Sequence, residues 1–336
     1  MPRVTPARLE TVWSRRLADH AADLRFSSEG GVLAAATLAG TVTVLDASTG
    51  EVLTERAGHP GGALSLAWSP NGSLLASGGQ DGRVRVCRPG GEPVFDTPSG
   101  RSWIEHMAFS SDGLHLAVAA GRTARVYDRS GRLVAEQAGH ESTISALFWR
   151  GRQLVTACYG GLRLAEPGGP GTVRFLEYAG SILAVAPSPD GKWLVSGNQD
   201  GSLHVWRMED GAQFQMTGYP SKVKALAFSL DGSTLAAAGG AEVTVWDFGG
   251  GGPAGRAPRV LEGHTGLINA LAWAGGRILS ASEDGTLRWC PPSSDRGVAA
   301  WEGGRPLDRL AVAPRRAAVA VADRDGNVSL VSLGDR

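Results

Sequence analysis

The chain has 336 residues, with 33 basic and 33 acidic side chains and a formal net charge of zero. That balance argues against a nucleic-acid binder, which needs a surplus of Lys and Arg on one face, and no block of about five or more like charges occurs. No run of about 18 apolar residues offers a membrane span, and the three cysteines, Cys87, Cys158 and Cys290, fall at unrelated spacings that fit a reduced, cytoplasmic setting.

The N-terminal stretch MPRVTPARLETVWSRR lacks the uninterrupted apolar core of a secretory signal. Within it RLETVWSR (8–15) reads as a strand without a repeat unit of its own. Beyond it, short period-two runs follow one another: LSLAWS (64–69), RVRVC (83–87), LHVW (203–206) and EVTVW (242–246). Helical patterns are nearly absent. Glycine supplies 48 residues, about twice the usual share of roughly 7 %, and punctuates these runs with tight turns. The chain is expected to be all-β.

One unit recurs. From His59 onward, three strand-like runs are separated by PNG (70–72) and QDG (80–82) turns, and the same grammar returns along the chain. Aligned on the end of the first run, the units register at Phe26, Trp68, Phe109, Trp149, Pro187, Phe228, Trp273 and Ala313, with intervals of 42, 41, 40, 38, 41, 45 and 40 residues. Gly58-His59, Gly139-His140 and Gly263-His264 precede a first strand. Ser77 with Asp81, Ser196 with Asp200 and Ser280 with Asp284 follow a second. Trp246-Asp247 closes a third, with Tyr127-Asp128, Leu45-Asp46 and Trp206-Arg207 as weaker versions. Spacing and motifs together resemble the WD40 family, whose unit of about 40 to 45 residues builds one propeller blade.

The resemblance implies an all-β propeller of eight four-stranded blades, and eight units of about 41 residues use up the length in a single domain, 1–336. Residues 8–15 are expected to pair beside 327–333 and supply the strand that closes the last blade. The alternative is seven blades, with 140–175 as an elaboration.

His59, Ser77 and Asp81, and likewise His264, Ser280 and Asp284, imitate a hydrolase triad. No G-x-S-x-G elbow surrounds either serine. In the family such residues form a hydrogen-bonded network inside a blade, to which Ser196, Asp200 and Trp206 are also assigned. Cys87 and Cys290 stand where the family places Trp and read as small buried hydrophobes. The scattered histidines and cysteines show no metal-ligand spacing, so neither a metal nor a cofactor is expected. GGGGPAGRAP (249–258) lacks a Gly-Lys-Ser/Thr ending and reads as a flexible connection.

Function is therefore sought on the surface. In the resembled family, partners dock where the loop into the first strand meets the turn after the second. Those positions hold Trp103, Glu105, Tyr159, Lys222, Lys224, Glu283, Arg309 and Arg324. Aromatic residues and Arg dominate interface hot spots, so the expectation is a non-catalytic scaffold, monomeric by itself, that binds another protein carrying an acidic segment. Two alternatives are an enzyme or small-molecule binder using the central channel, where the first strands offer mostly Ala, Leu, Val and Ser, and a nucleic-acid binder through the basic arc. The Ala-, Arg- and Gly-rich composition suggests a G+C-rich bacterial genome.

Overall fold

The computed structural model describes residues 9–169, 171–293 and 299–334, so Arg8 of the expected closing strand lies outside the described residues. The described chain forms 32 strands and no helix. They pair as eight four-stranded antiparallel sheets, the blades of a β-propeller, as the repeat count implied. Seven blades are consecutive meanders over 21–57, 63–98, 104–137, 146–178, 182–216, 225–261 and 268–302, here blades 1 to 7. Residues 146–178 are thus a full blade and not an elaboration. Blade 8 takes three strands from 307–332, and its fourth is Glu10–Arg16 beside Asn327–Ser332. Trp301 donates to Thr11 Oγ1 at 2.8 Å, and Ser329 donates to Ser14 Oγ at 3.0 Å.

The alternation seen in the sequence has a register. The end of each first strand faces an aliphatic residue of the second: Phe26 opposes Leu33, Trp68 Leu75, Phe109 Leu116, Trp149 Leu154, Phe228 Leu235 and Trp273 Ile278. In blade 8 the residue in that place is Val312, opposite Val319, so the expected Ala313 lies one residue too late. Second strands such as Val32–Thr37 and Ala318–Asp323 are rich in Ala and almost wholly buried, because sheets packed on both sides leave room only for small side chains. Fourth strands such as Val52–Ala57 are mostly exposed.

Five first strands slip register at one place, between Ala21 and Asp23, Ala63 and Ser65, Ile104 and His106, Ile268 and Ala270, and Leu307 and Arg309. The extra residue of each bulge, Glu105 and Asp308 among them, is freed from the ladder and re-aimed. The Asp-Gly turns need Gly: at Gly82 φ is +68°, and a Cβ would stand 2.4 Å from the Gly100 carbonyl oxygen.

The chain divides into two compact units, residues 16–183 with blades 1 to 4 and residues 1–15 with 184–336, which hold blades 5 to 8. Inside each unit the apolar clusters span neighbouring blades. Val44 of blade 1 packs with Leu66 and Leu75 of blade 2, and Trp193 and Val205 of blade 5 pack with Leu235 and Trp246 of blade 6. A blade cannot bury both faces by itself, so stacking supplies the core.

Candidate functional site

In residues 16–183, one blade edge carries the loops into first strands and the turns after second strands. Trp103 sits in the loop before Ile104–Phe109 with its side chain 53 % exposed, and Tyr159 in the turn after Gln153–Cys158 is 52 % exposed. Ser142 Oγ accepts the Tyr159 backbone N–H at 2.9 Å and fixes that turn. Leu38, in the equivalent turn of blade 1, is also exposed and was missed because an isolated Leu in a turn carries no motif. Glu105 is the extra residue of the blade 3 bulge and faces solvent.

The first strands of this unit are more polar than the sequence reading held. Asp23 and Arg25 stand two apart in blade 1, with Arg25 Nε 3.2 Å from Asp23 Oδ2, which also accepts the Leu66 N–H at 3.0 Å. His106 follows the blade 3 bulge, and burial lowers its pKa to about 4. The bulges put these side chains out of the simple alternation, which is why counting along the strands overlooked them.

In the other unit Lys222 and Lys224 are exposed and make no ion pair among the described residues. Arg324 differs. Its Nε reaches Asp308 Oδ2 at 3.0 Å while an Nη donates to Glu283 Oε1, so two carboxylates of blades 7 and 8 share one guanidinium. Asn269 Nδ2 donates to Asp308 Oδ1 at 2.9 Å, and Arg309 donates to the Asp308 carbonyl at 3.0 Å. Glu283, Arg309 and Arg324 therefore form part of a neutralised cluster, and Lys222 and Lys224 carry the uncompensated charge.

The triad look-alikes are blade-internal networks. His59 Nδ1 donates to Asp81 Oδ1 at 2.9 Å and its Nε2 accepts from Ser77 at 2.9 Å, while Arg85 donates to Asp81 Oδ2 at 2.7 Å. His264 repeats this with Asp284 at 3.0 Å and Ser280 at 2.8 Å. Burial lowers both histidine pKa values, partly offset by the carboxylates. Burial alone would raise the Asp284 carboxyl, but bonds from Thr286, Thr265 N–H and His264 outweigh it and hold it far below the usual range. In blade 4 His140 donates to the Arg122 carbonyl at 3.1 Å and accepts from Thr156 at 2.8 Å. In blade 5 Ser196 reaches Asp200 through Asn198 and Ser202, and the buried Trp206 indole N–H has no partner among the described residues. Trp246 instead donates to Tyr219 Oη at 2.9 Å. Among the described residues no three His, Cys, Asp or Glu side chains are grouped to hold a metal.

The family profile described as "WD domain, G-beta repeat" matches residues 50–87, 172–207, 212–247 and 255–289. The chain carries WD40 repeats. Each matched WD40 segment runs from the fourth strand of one blade to the third strand of the next. The mouse protein "Echinoderm microtubule-associated protein-like 2" is 27 % identical over 245 residues, 70 % of this chain and 36 % of that protein. Bovine "Coronin-7" is 29 % identical over 215 residues, 63 % of this chain and 20 % of its own length. The chain thus spans about a third or less of these two curated relatives. The crystal structure of the computationally designed Ika8 protein superposes with a TM-score of 0.80 at 25 % identity, covering 97 % of this chain and 99 % of that one.

Proposed function

We propose that this WD40 chain is a non-catalytic scaffold that presents the edge bearing Leu38, Trp103, Glu105 and Tyr159 to another protein, while residues 184–336 present Lys222, Lys224, Glu283, Arg309 and Arg324 as a polar surface of their own. The exposure of large apolar side chains on the turns of one blade edge carries the reading, since such groups mark docking sites. Lys222 and Lys224 favour a partner with an acidic segment. Against an enzyme stands the burial of the triad-like groups among the described residues: Ser280 is 1 % and His59 1 % exposed, out of a substrate's reach. The proposal includes a single domain over the whole chain, closed by its N-terminal strand, and a cytoplasmic setting. The mouse relative is by name microtubule-associated, a docking to a protein surface.

The test is quantitative capture from cell extract with three baits side by side: wild type, Trp103→Ala/Tyr159→Ala, and Leu114→Ser in the turn at the other edge of blade 3. A protein retained by wild type and Leu114→Ser but lost from the double variant supports the reading. Loss only from Leu114→Ser overturns it.

A further inference from the structure

The third strands of the blades share one position, opposite an aliphatic residue of the second strand. It is Tyr127 in blade 3, opposite Leu116; Trp206 in blade 5, opposite Leu194; and Trp246 in blade 6, opposite Leu235. These rings are buried to 3 %, 2 % and 7 % exposure, and Tyr127 and Trp246 pack into clusters shared with the preceding blade. In blade 2 the same position, opposite Leu75, is Cys87. A thiol replaces a ring, the Arg56 side chain bonds to it, and space is left beside the pair. A cavity of about 140 Å³ lies there, entirely within residues 16–183, between the outer strands of blade 1 and blade 2. Its apolar walls include Val44, Leu75, Val86 and Phe95, and Arg56 of blade 1 borders it. Cys290 marks a contrast: the same exchange in blade 7 leaves a thiol only 3 % exposed and packed among Val245, Ile278 and Trp273.

We propose that the cavity at Cys87 is a binding site for a free small planar aromatic molecule, from a benzene to an indole ring in size. An apolar cavity of about 150 Å³ in another protein takes up benzene, and this one has nearly that volume, with apolar walls and a polar rim of Arg56, Arg85 and Asp96. The occupant restores the contacts that Tyr127, Trp206 and Trp246 make in their blades, which a void forfeits. Arg56 adds a guanidinium able to lie over the ring. Its backbone-directed bond to the Gly91 carbonyl holds it at the rim. The site is separate from the blade edge assigned to a protein partner, and its success or failure leaves that assignment untouched.

The experiment uses indole as the probe and the thiol as the reporter. Cys87 is half-buried, while Cys158 and Cys290 are 1 % and 3 % exposed, so a small thiol reagent labels Cys87 first. Indole at about ten times its dissociation constant should slow that labelling about tenfold, because only the unoccupied fraction reacts. Cys87→Trp should abolish indole binding in a calorimetric titration while remaining folded by circular dichroism. Should Cys87→Trp fail to fold, Val44→Phe narrows the same cavity from the blade 1 side and should weaken binding. Unchanged labelling of the wild type at millimolar indole overturns the proposal, as does indole binding that survives in a folded Cys87→Trp.

Discussion

Trp68 donates its indole N–H to the carbonyl oxygen of Arg25 at 3.0 Å, so a side chain of blade 2 is tied to the backbone of the first strand of blade 1. The bond recurs where the sequence repeats a Trp: Trp149 reaches the Ala108 carbonyl at 3.0 Å, and Trp273 the Ala227 carbonyl at 2.9 Å. Neighbouring blades are thus joined by a directional bond as well as by apolar packing, and the spacing of the repeat positions it.

Trp149→Phe and Trp273→Phe should each lower stability by about 1 kcal/mol through the lost hydrogen bond, read as a shift in urea midpoint with unchanged slope. Trp68→Phe should cost less, since its bond is exposed to water. Equal losses at all three would show that ring size, not the bond, matters.

Asp284→Ala takes the carboxylate acceptor from His264 Nδ1–H, leaving only the Thr286 hydroxyl at 3.0 Å, and should cost about 1 to 3 kcal/mol in denaturant unfolding. Ester turnover that vanished specifically in Ser280→Ala would contradict the structural role assigned to this network.

The pH dependence of stability follows from the histidines. Burial lowers the pKa of His59, His106, His140 and His264, with His106 at about 4 against a usual 6.5. As pH falls the unfolded chain takes up protons before the folded one does. Stability is therefore fully present above about pH 6.5 and declines towards pH 4, by at most about 1.4 kcal/mol per pH unit for each histidine. Melting temperatures of wild type and His106→Gln measured across this window should diverge, with the variant showing the shallower slope.

Removing residues 1–16 strips the fourth strand from blade 8 and leaves the Asn327–Ser332 edge unpaired. An open edge templates association, so light scattering should rise and the melting temperature should drop. An unaltered melting temperature would falsify the stabilising role of this strand.

At the docking edge, Trp103→Ala should cost about 2 kcal/mol or more in partner affinity if Trp103 is a central anchor. Lys224→Glu should chiefly slow association and weaken its salt dependence. Arg324→Glu, which breaks the shared pairing with Asp308 and Glu283, should change stability as well as binding. A titration against the captured partner distinguishes these effects.

The blades were legible because turn glycines and apolar alternation are local signals that repeat. Register at the end of the first strand held from Phe26 to Trp273 and failed at Ala313, where no aromatic residue marks the strand end. The bulges were not legible: one extra residue has no composition, and it hid Asp23, Arg25 and His106. The charge cluster of Arg324 was hidden for another reason: Asp308 lies 16 residues away in the same blade, and Glu283, 41 residues away, meets it only once blades 7 and 8 stack. Such pairings need coordinates.

The closing strand also sets an order in time. Ser14 and Ser329, bonded in the folded chain, are 315 residues apart. At a synthesis rate of about 5 to 20 residues per second, strand Glu10–Arg16 waits roughly 15 to 60 s for the strand it pairs with. Every other blade can assemble from consecutive strands as they emerge. Blade 8 is complete only after Ser332 has left the ribosome, and sequence-distant pairings of this kind are intrinsically slow to form. A nascent chain halted before Asn327 would hold its N-terminal strand unpaired, open to chaperones and to other chains alike.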